Sequence, residues 1–210
     1  VRVPYGGGIR APELHSEAPE AYLCHTPGLK VVIPSGPYDA KGLLLSAIRD
    51  PDPVIFFEPK RIYRAFREEV PEDDYTVPIG KAKVLADGTD VTIITWGAMV
   101  HECLKAMDRL PETVSVELID VRTLSPLDTA TIIESVSKTG RAVVVHEAPK
   151  SAGLGAEIAA VIGEKAMFKL KAPVLRVTGF DIPTPYYKLE EHHLPDAERI
   201  CRAVEQCAAL

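Results

Sequence analysis

From Asp90 to the C-terminus the chain alternates between short β-branched runs and longer runs of helical periodicity. "DVTIITWG" (Asp90–Gly97) reads as a strand, 98–110 as a helix, and "VSVELIDVRT" (Val114–Thr123) as a second strand. "SPLDTATIIESVSKTG" (Ser125–Gly140) carries Ser and Pro where a helix begins and Gly just past its end. "RAVVVHE" (Arg141–Glu147) is a strand, "GLGAEIAAVIGEKA" (Gly153–Ala166) a helix, "APVLRVTG" (Ala172–Gly179) a strand, and 196–209 a final helix. A helix between two strands returns the chain to the same end of the sheet, so successive strands run parallel. The alternation therefore predicts an α/β fold: an open, mostly parallel sheet with helices on both faces, a three-layer domain of about 130 residues.

The first part is less complete. "GLKVVIP" (Gly28–Pro34) is a buried strand, and 35–50 a helix with apolar Ala40, Leu43, Leu44, Ala47 and Ile48 on one face. "PDPVIFFEP" (Pro51–Pro59) is a second strand. One helix cannot cover the faces and edges of this βαβ unit, which reads as the tail of a domain that starts upstream. "REEVPEDDYTVPIG" (Arg67–Gly80) is acidic, contains two prolines and has no periodicity, which predicts a linker.

Composition excludes several classes of function. The net charge is −6 over 210 residues, and the one basic cluster, "PKRIYRAFR", runs straight into "EEVPEDD". A nucleic-acid surface needs unopposed positive charge, so none is expected. No apolar run approaches the roughly 18–20 residues of a membrane span. The four cysteines (Cys24, Cys103, Cys201, Cys207) lack metal-ligand spacing and read as reduced thiols. The terminal "CAAL" fits a prenylation pattern, but no polybasic stretch supports an anchor.

Few short motifs carry chemistry. "RAPELHSEAPEAYLCHTPG" (Arg10–Gly28) places His15 among glutamates and prolines. Imidazole changes charge near neutrality, so His15 is the best single candidate for a titrating group at a site, against a plain loop leading into a helix at 17–25. "YGGGIR" (Tyr5–Arg10) matches no phosphate-binding fingerprint and is better read as a turn that lets backbones approach closely. "GLG" (Gly153–Gly155) opens a helix, but its pattern breaks at Ala156. His146 and Glu147 end a strand, where a ligand contact and simple packing are equally open. The His192–His193 doublet is expected to be solvent-exposed rather than chelating.

The ordered string from Gly6 to Arg64, with "HSEAPEAYLCHTPGLKVVIPSGPYDAKGLLLSAIRD" at its centre, resembles the β subunit of thiamine-diphosphate-dependent 2-oxo acid dehydrogenases, the E1 component. "FFEPKRIYR" with "EEVPEDDYTVPIGKA" is most similar to branched-chain members, and "SVSKTGRAVVVHEAP" and "APVLRVTGFDIPTPY" extend the likeness across the chain. The resemblance implies that residues 1–67 close a pyrimidine-binding domain, 68–80 link, and 81–210 form a transketolase C-terminal-type domain. His15 would stand beside the thiazolium and substrate, and a nearby Glu17 would favour its imidazolium form. "AIRDPD" would supply half of a monovalent-cation (K⁺) site at Ala47, Asp50 and Asp52.

The family's cofactor-activating glutamate would lie upstream, and its α subunit would hold the diphosphate and Mg²⁺. The implied partners are that α subunit, a second β subunit and a lipoyl-bearing E2 core. The compartment would be bacterial or archaeal cytoplasm, or the mitochondrial matrix of a eukaryote. Pyruvate or acetoin dehydrogenase E1 β is the rival reading. For these residues alone, so is a non-catalytic module for assembly and E2 docking.

Overall fold

A computed structural model describes residues 1–11 and 15–210. In chain order the elements are β1 (Arg2–Tyr5), α1 (Glu20–Cys24), β2 (Lys30–Val32), α2 (Pro37–Arg49), β3 (Val54–Pro59), β4 (Lys83–Ala86), β5 (Val91–Thr95) and α3 (Met99–Met107). They continue as β6 (Val116–Asp120), β7 (Thr123–Ser125), α4 (Thr129–Thr139), β8 (Ala142–Pro149), α5 (Leu154–Ala166), β9 (Leu175–Gly179), α6 (Glu190–His193) and α7 (Ala197–Ala208).

Local chemistry sets most boundaries. Pro37 sits in the first turn of α2 after an extended Gly36, and the chain leaves that helix at Asp50, just before Pro51. The Asp128 side chain caps α4 by accepting from the Thr131 N–H, and Gly140 ends it at φ 74°, in the left-handed region. Asp196 caps α7 in the same way through the Arg199 N–H.

The second sheet has the order β4-β6-β5-β8-β9, with β5, β6, β8 and β9 parallel and β4 antiparallel at the edge. Ile132, Val136, Ile158 and Ile162 of α4 and α5 pack in one core cluster, and Cys103, Ala106, Ile200 and Val204 of α3 and α7 in the other. This is the expected three-layer, mostly parallel architecture.

Three features depart from expectation. The run at Val114–Thr123 is two strands: the chain turns at Arg122 (φ 55°), and β7 crosses to pair antiparallel with β2. The first sheet, ordered β1-β3-β2-β7, thus has one edge closed by a strand of the second half and gains β1 beside β3. The segment expected to be a linker is instead a strap bound to α2. Tyr38 N–H donates to Glu68 (3.1 Å), Arg49 pairs with Asp74 (2.9 Å), the Ser46 hydroxyl donates to the Val77 carbonyl (2.6 Å), and Val77 is buried.

The sheets meet with their carboxyl ends facing. The Ser35 hydroxyl beyond β2 donates to Asp120 at the end of β6 (2.5 Å), and Gly7 N–H beyond β1 donates to Glu147 of β8 (2.9 Å). One core cluster spans both sheets, with Tyr5, Val31 and Phe57 beside Ile94, Trp96 and Val144. Among the described residues, no helix is long and apolar enough to cross a membrane.

Candidate active site

Ligands of open α/β sheets bind at the carboxyl ends of the strands. Here those ends face each other, and the chain's own groups fill much of the space between them. At the end of β1 the glycines form a loop with φ of 83° at Gly6 and 84° at Gly8, followed by Arg10 at 58°. This aims several N–H groups at acceptors, the geometry that makes anion cradles elsewhere.

The acceptors here are internal. Glu147 accepts from Gly7 N–H (2.9 Å), and Glu190 accepts from Gly8 N–H (2.9 Å) and Arg10 N–H (2.7 Å). Positive φ favours glycine at both Gly6 and Gly8, and added side chains would crowd their neighbours. A Cβ at Gly8 would stand 2.5 Å from Arg61 Cδ, and one at Gly6 would stand 3.0 Å from the Glu147 carboxylate. The expectation of a close-approach turn is met.

Beneath the loop lies a buried polar cluster. Glu20 on α1 is fully buried, and neither carboxylate oxygen makes a hydrogen bond. The Tyr5 hydroxyl and the Trp96 indole N–H are buried polar neighbours that likewise make no hydrogen bond. Burial pushes the Glu20 carboxyl up to about 8. Burial also raises Glu147 to about 7, against the pull of Gly7 N–H and Arg61.

His146 is buried and stacked on Trp96 (centroids 5.3 Å apart, 9° between planes), with neither ring nitrogen hydrogen-bonded. Desolvation lowers it to about 4, so it is neutral near pH 7. Gly155 admits it: a Cβ there would lie 2.6 Å from Nε2. The strand runs on past both residues to Pro149; within it His146 serves packing and Glu147 the glycine loop.

His15 is exposed, in the turn before α1. The return limb carrying it is tied down by Lys60 donating to the His15 carbonyl, by the Ser16 hydroxyl on Ala11 O (2.7 Å), and by Gly6 N–H on Glu17 O (3.0 Å). Glu17 thus meets the loop through its carbonyl. Glu13, which shares this stretch of sequence, lies outside the described residues.

At the other end of the unit, Ala47 lies on α2, and Asp50 and Asp52 follow it. Lys30 Nζ contacts Asp50 at 2.8 Å and Asp52 at 2.9 Å, so an ammonium already neutralises both carboxylates and holds Asp50 below the usual carboxylate range. Of the histidine doublet, His192 is exposed as expected. His193 is buried against Phe180, because a short helix rather than an extended segment carries the pair. Among the described residues, no group of three His, Cys, Asp or Glu side chains could hold a metal ion.

Sequence reasoning missed Glu20, Glu147 and Glu190 as a set. Glu190 meets Gly8 across 182 positions of chain, and no local pattern encodes such a meeting.

The transketolase C-terminal domain matches residues 80–200, and the transketolase pyrimidine-binding domain residues 1–65. The chain is 54% identical over 209 residues to the pyruvate dehydrogenase E1 component subunit beta of Acholeplasma laidlawii, covering 99% of this chain and 64% of that protein. It is 55% identical over 197 residues to the subunit of the same name from Bacillus subtilis (strain 168), covering 93% and 61%. It thus spans less than two thirds of the length of these relatives. A solved structure described as a split-gene transketolase, an inactive β4 tetramer, superposes with a TM-score of 0.78 at 25% identity, covering 100% of this chain and 67% of that one.

Proposed function

The chain belongs to the transketolase family, and from that premise we propose that it works as the β subunit of the E1 component of a thiamine-diphosphate-dependent 2-oxo acid dehydrogenase. The observation that carries this reading is the match of both domains in order, together with identity above half to two subunits of that kind. Pyruvate is the favoured 2-oxo acid, since those relatives bear it in their names. The branched-chain expectation rested on the "FFEPKRIYR" segment and its acidic continuation, and now stands as the alternative.

The described residues do not fit the diphosphate end of the cofactor or its Mg²⁺. The glycine-loop amides are taken by carboxylates, and the described side chains offer no metal cluster. That end therefore falls to an α subunit. For K⁺, the Asp50 and Asp52 carboxylates are already committed to Lys30. A groove of about 690 Å³ lined by Leu44, Ile48, Phe56, Ile62, Tyr63 and Phe66 supports a chain that works packed against further protein, with the E2 core as a second partner.

Within that assembly His15 is the proton donor or charge stabiliser beside the substrate carboxylate or the incoming dithiolane. Its exposed ring on a fastened backbone is suited to meet a group brought by another polypeptide. Assay of the complete enzyme, with full-length β and α subunits, on pyruvate and 2-oxoisovalerate tests both points. Pyruvate is expected to show the higher kcat/KM, and the reverse order restores the branched-chain assignment. His15→Ala should lower turnover by about 10²–10⁴-fold with cofactor affinity kept, and near-normal acyl transfer would reject the role.

A further inference from the structure

We infer that Glu190 is a positioning residue: its carboxylate grips the backbone of the glycine loop with both oxygens and thereby sets where the His15 turn stands. This rests on the reading that His15 works at the active site. Glu190 is fully buried at the start of α6, on the far side of the chain from the loop in sequence. Its Oε1 accepts from Gly8 N–H at 2.9 Å and its Oε2 from Arg10 N–H at 2.7 Å. Hydrogen bonds from backbone N–H to an ionised acceptor are among the stronger ones, and two on one carboxylate fix orientation as well as distance.

The grip reaches His15 through short connections. Ala11, next to Arg10, accepts from the Ser16 hydroxyl at 2.7 Å, and Gly6 N–H donates to the Glu17 carbonyl at 3.0 Å. The residues flanking His15 on its C-terminal side are thus bonded to the limb that Glu190 holds. Outside the grip, Arg10 is braced by Glu191 (2.7 Å) and by its stacking over Tyr187 (5.0 Å to the ring centroid), which keeps the limb against the C-terminal domain. The C-terminal domain thereby positions a residue of the first sheet's loop, a task that neither half performs alone.

A carboxamide cannot reproduce this, because it offers one acceptor oxygen where two N–H groups need one each. The test uses Glu190→Gln in the full-length β subunit assembled with its α partner. Hydrogen exchange at the Gly8 and Arg10 amides should accelerate on the order of tenfold. On the 2-oxo acid, kcat should fall on the order of tenfold while KM stays within about twofold. Faster exchange with unchanged kcat, or unchanged exchange, would overturn the inference.

If Glu190→Gln does not assemble, Glu190→Asp replaces it. It keeps both oxygens but is shorter by a methylene, and should loosen the same amides. His15→Ala measured in parallel separates the two claims. A normal His15→Ala enzyme removes the functional reading whatever Glu190 does. A crippled one beside an active Glu190→Gln removes only the positioning role.

Discussion

Single side chains at the junction of the sheets tie stability to pH. Glu20 keeps its proton in the folded chain up to about pH 8, whereas in the unfolded chain it loses it near the ordinary carboxylate value of 4.5. A raised carboxyl contributes stability that is complete below the unfolded value and is lost as pH rises through the folded one. Glu147 and Asp120, each raised to about 7, act in the same direction. His146 acts on the acid side: lowered to about 4, it favours the fold above pH 6.5 and costs stability as pH falls toward 4. Glu20→Gln, which keeps the shape and removes the titration, should flatten the fall in stability between pH 6 and 8 by roughly 1.4 kcal/mol per pH unit. Urea midpoints measured across that range check this, and parallel curves for the two proteins would show that Glu20 ionises normally.

Among the elements, the strap over 67–80 behaves least like its sequence. Acidic, proline-containing and aperiodic, it has the composition of a free connection. Yet it lies on α2, held by Lys41, which donates to the Pro71 and Asp73 carbonyls, and by Tyr75, whose hydroxyl donates to the Tyr38 carbonyl. The closest approach is at Gly42, where a Cβ would stand 2.5 Å from Val77 Cγ2 and 3.0 Å from the Val77 nitrogen. Gly42→Ala should therefore lift Val77 from its pocket at a cost of about 1–3 kcal/mol. Limited proteolysis should then cut within 67–80 at protease levels that spare the parent chain. Equal resistance would mean that α2 shifts to absorb the methyl group.

Across the whole molecule, a buried charged tie joins the two halves. Arg122, at the turn between β6 and β7, reaches Asp39 on α2 at 3.0 Å and donates to the Lys81 carbonyl through Nε (3.1 Å) and Nη2 (3.0 Å). Its backbone N–H holds Asp120, which also accepts from Ser35. Arg122→Met keeps the bulk but leaves the buried Asp39 carboxylate unpaired, and should cost about 3–5 kcal/mol. Chemical unfolding is expected to show this loss, with the transition broadening as the halves uncouple. A loss near zero would mean that water reaches Asp39 without the arginine.

Elements made by local pattern were legible in advance. The strands β2, β3, β5, β8 and β9 and the helices α2, α4, α5 and α7 follow from runs of β-branched residues, from helical spacing, and from the Gly140 stop signal. The three-layer order follows from their alternation, because a helix between strands leaves few other paths. His15 stood out because its residue type is scarce and its surroundings are irregular. What stayed hidden depends on distance along the chain. β7 is three residues long, too short for a periodic signal, and its partner β2 is remote in sequence. Glu147 could be placed only at a strand end, with ligand contact and packing both open, and Glu190 looks like a solvated acid, until the folding of two halves carries both to the glycine loop, where the N–H groups of a tight turn give a buried carboxylate its reason to be there.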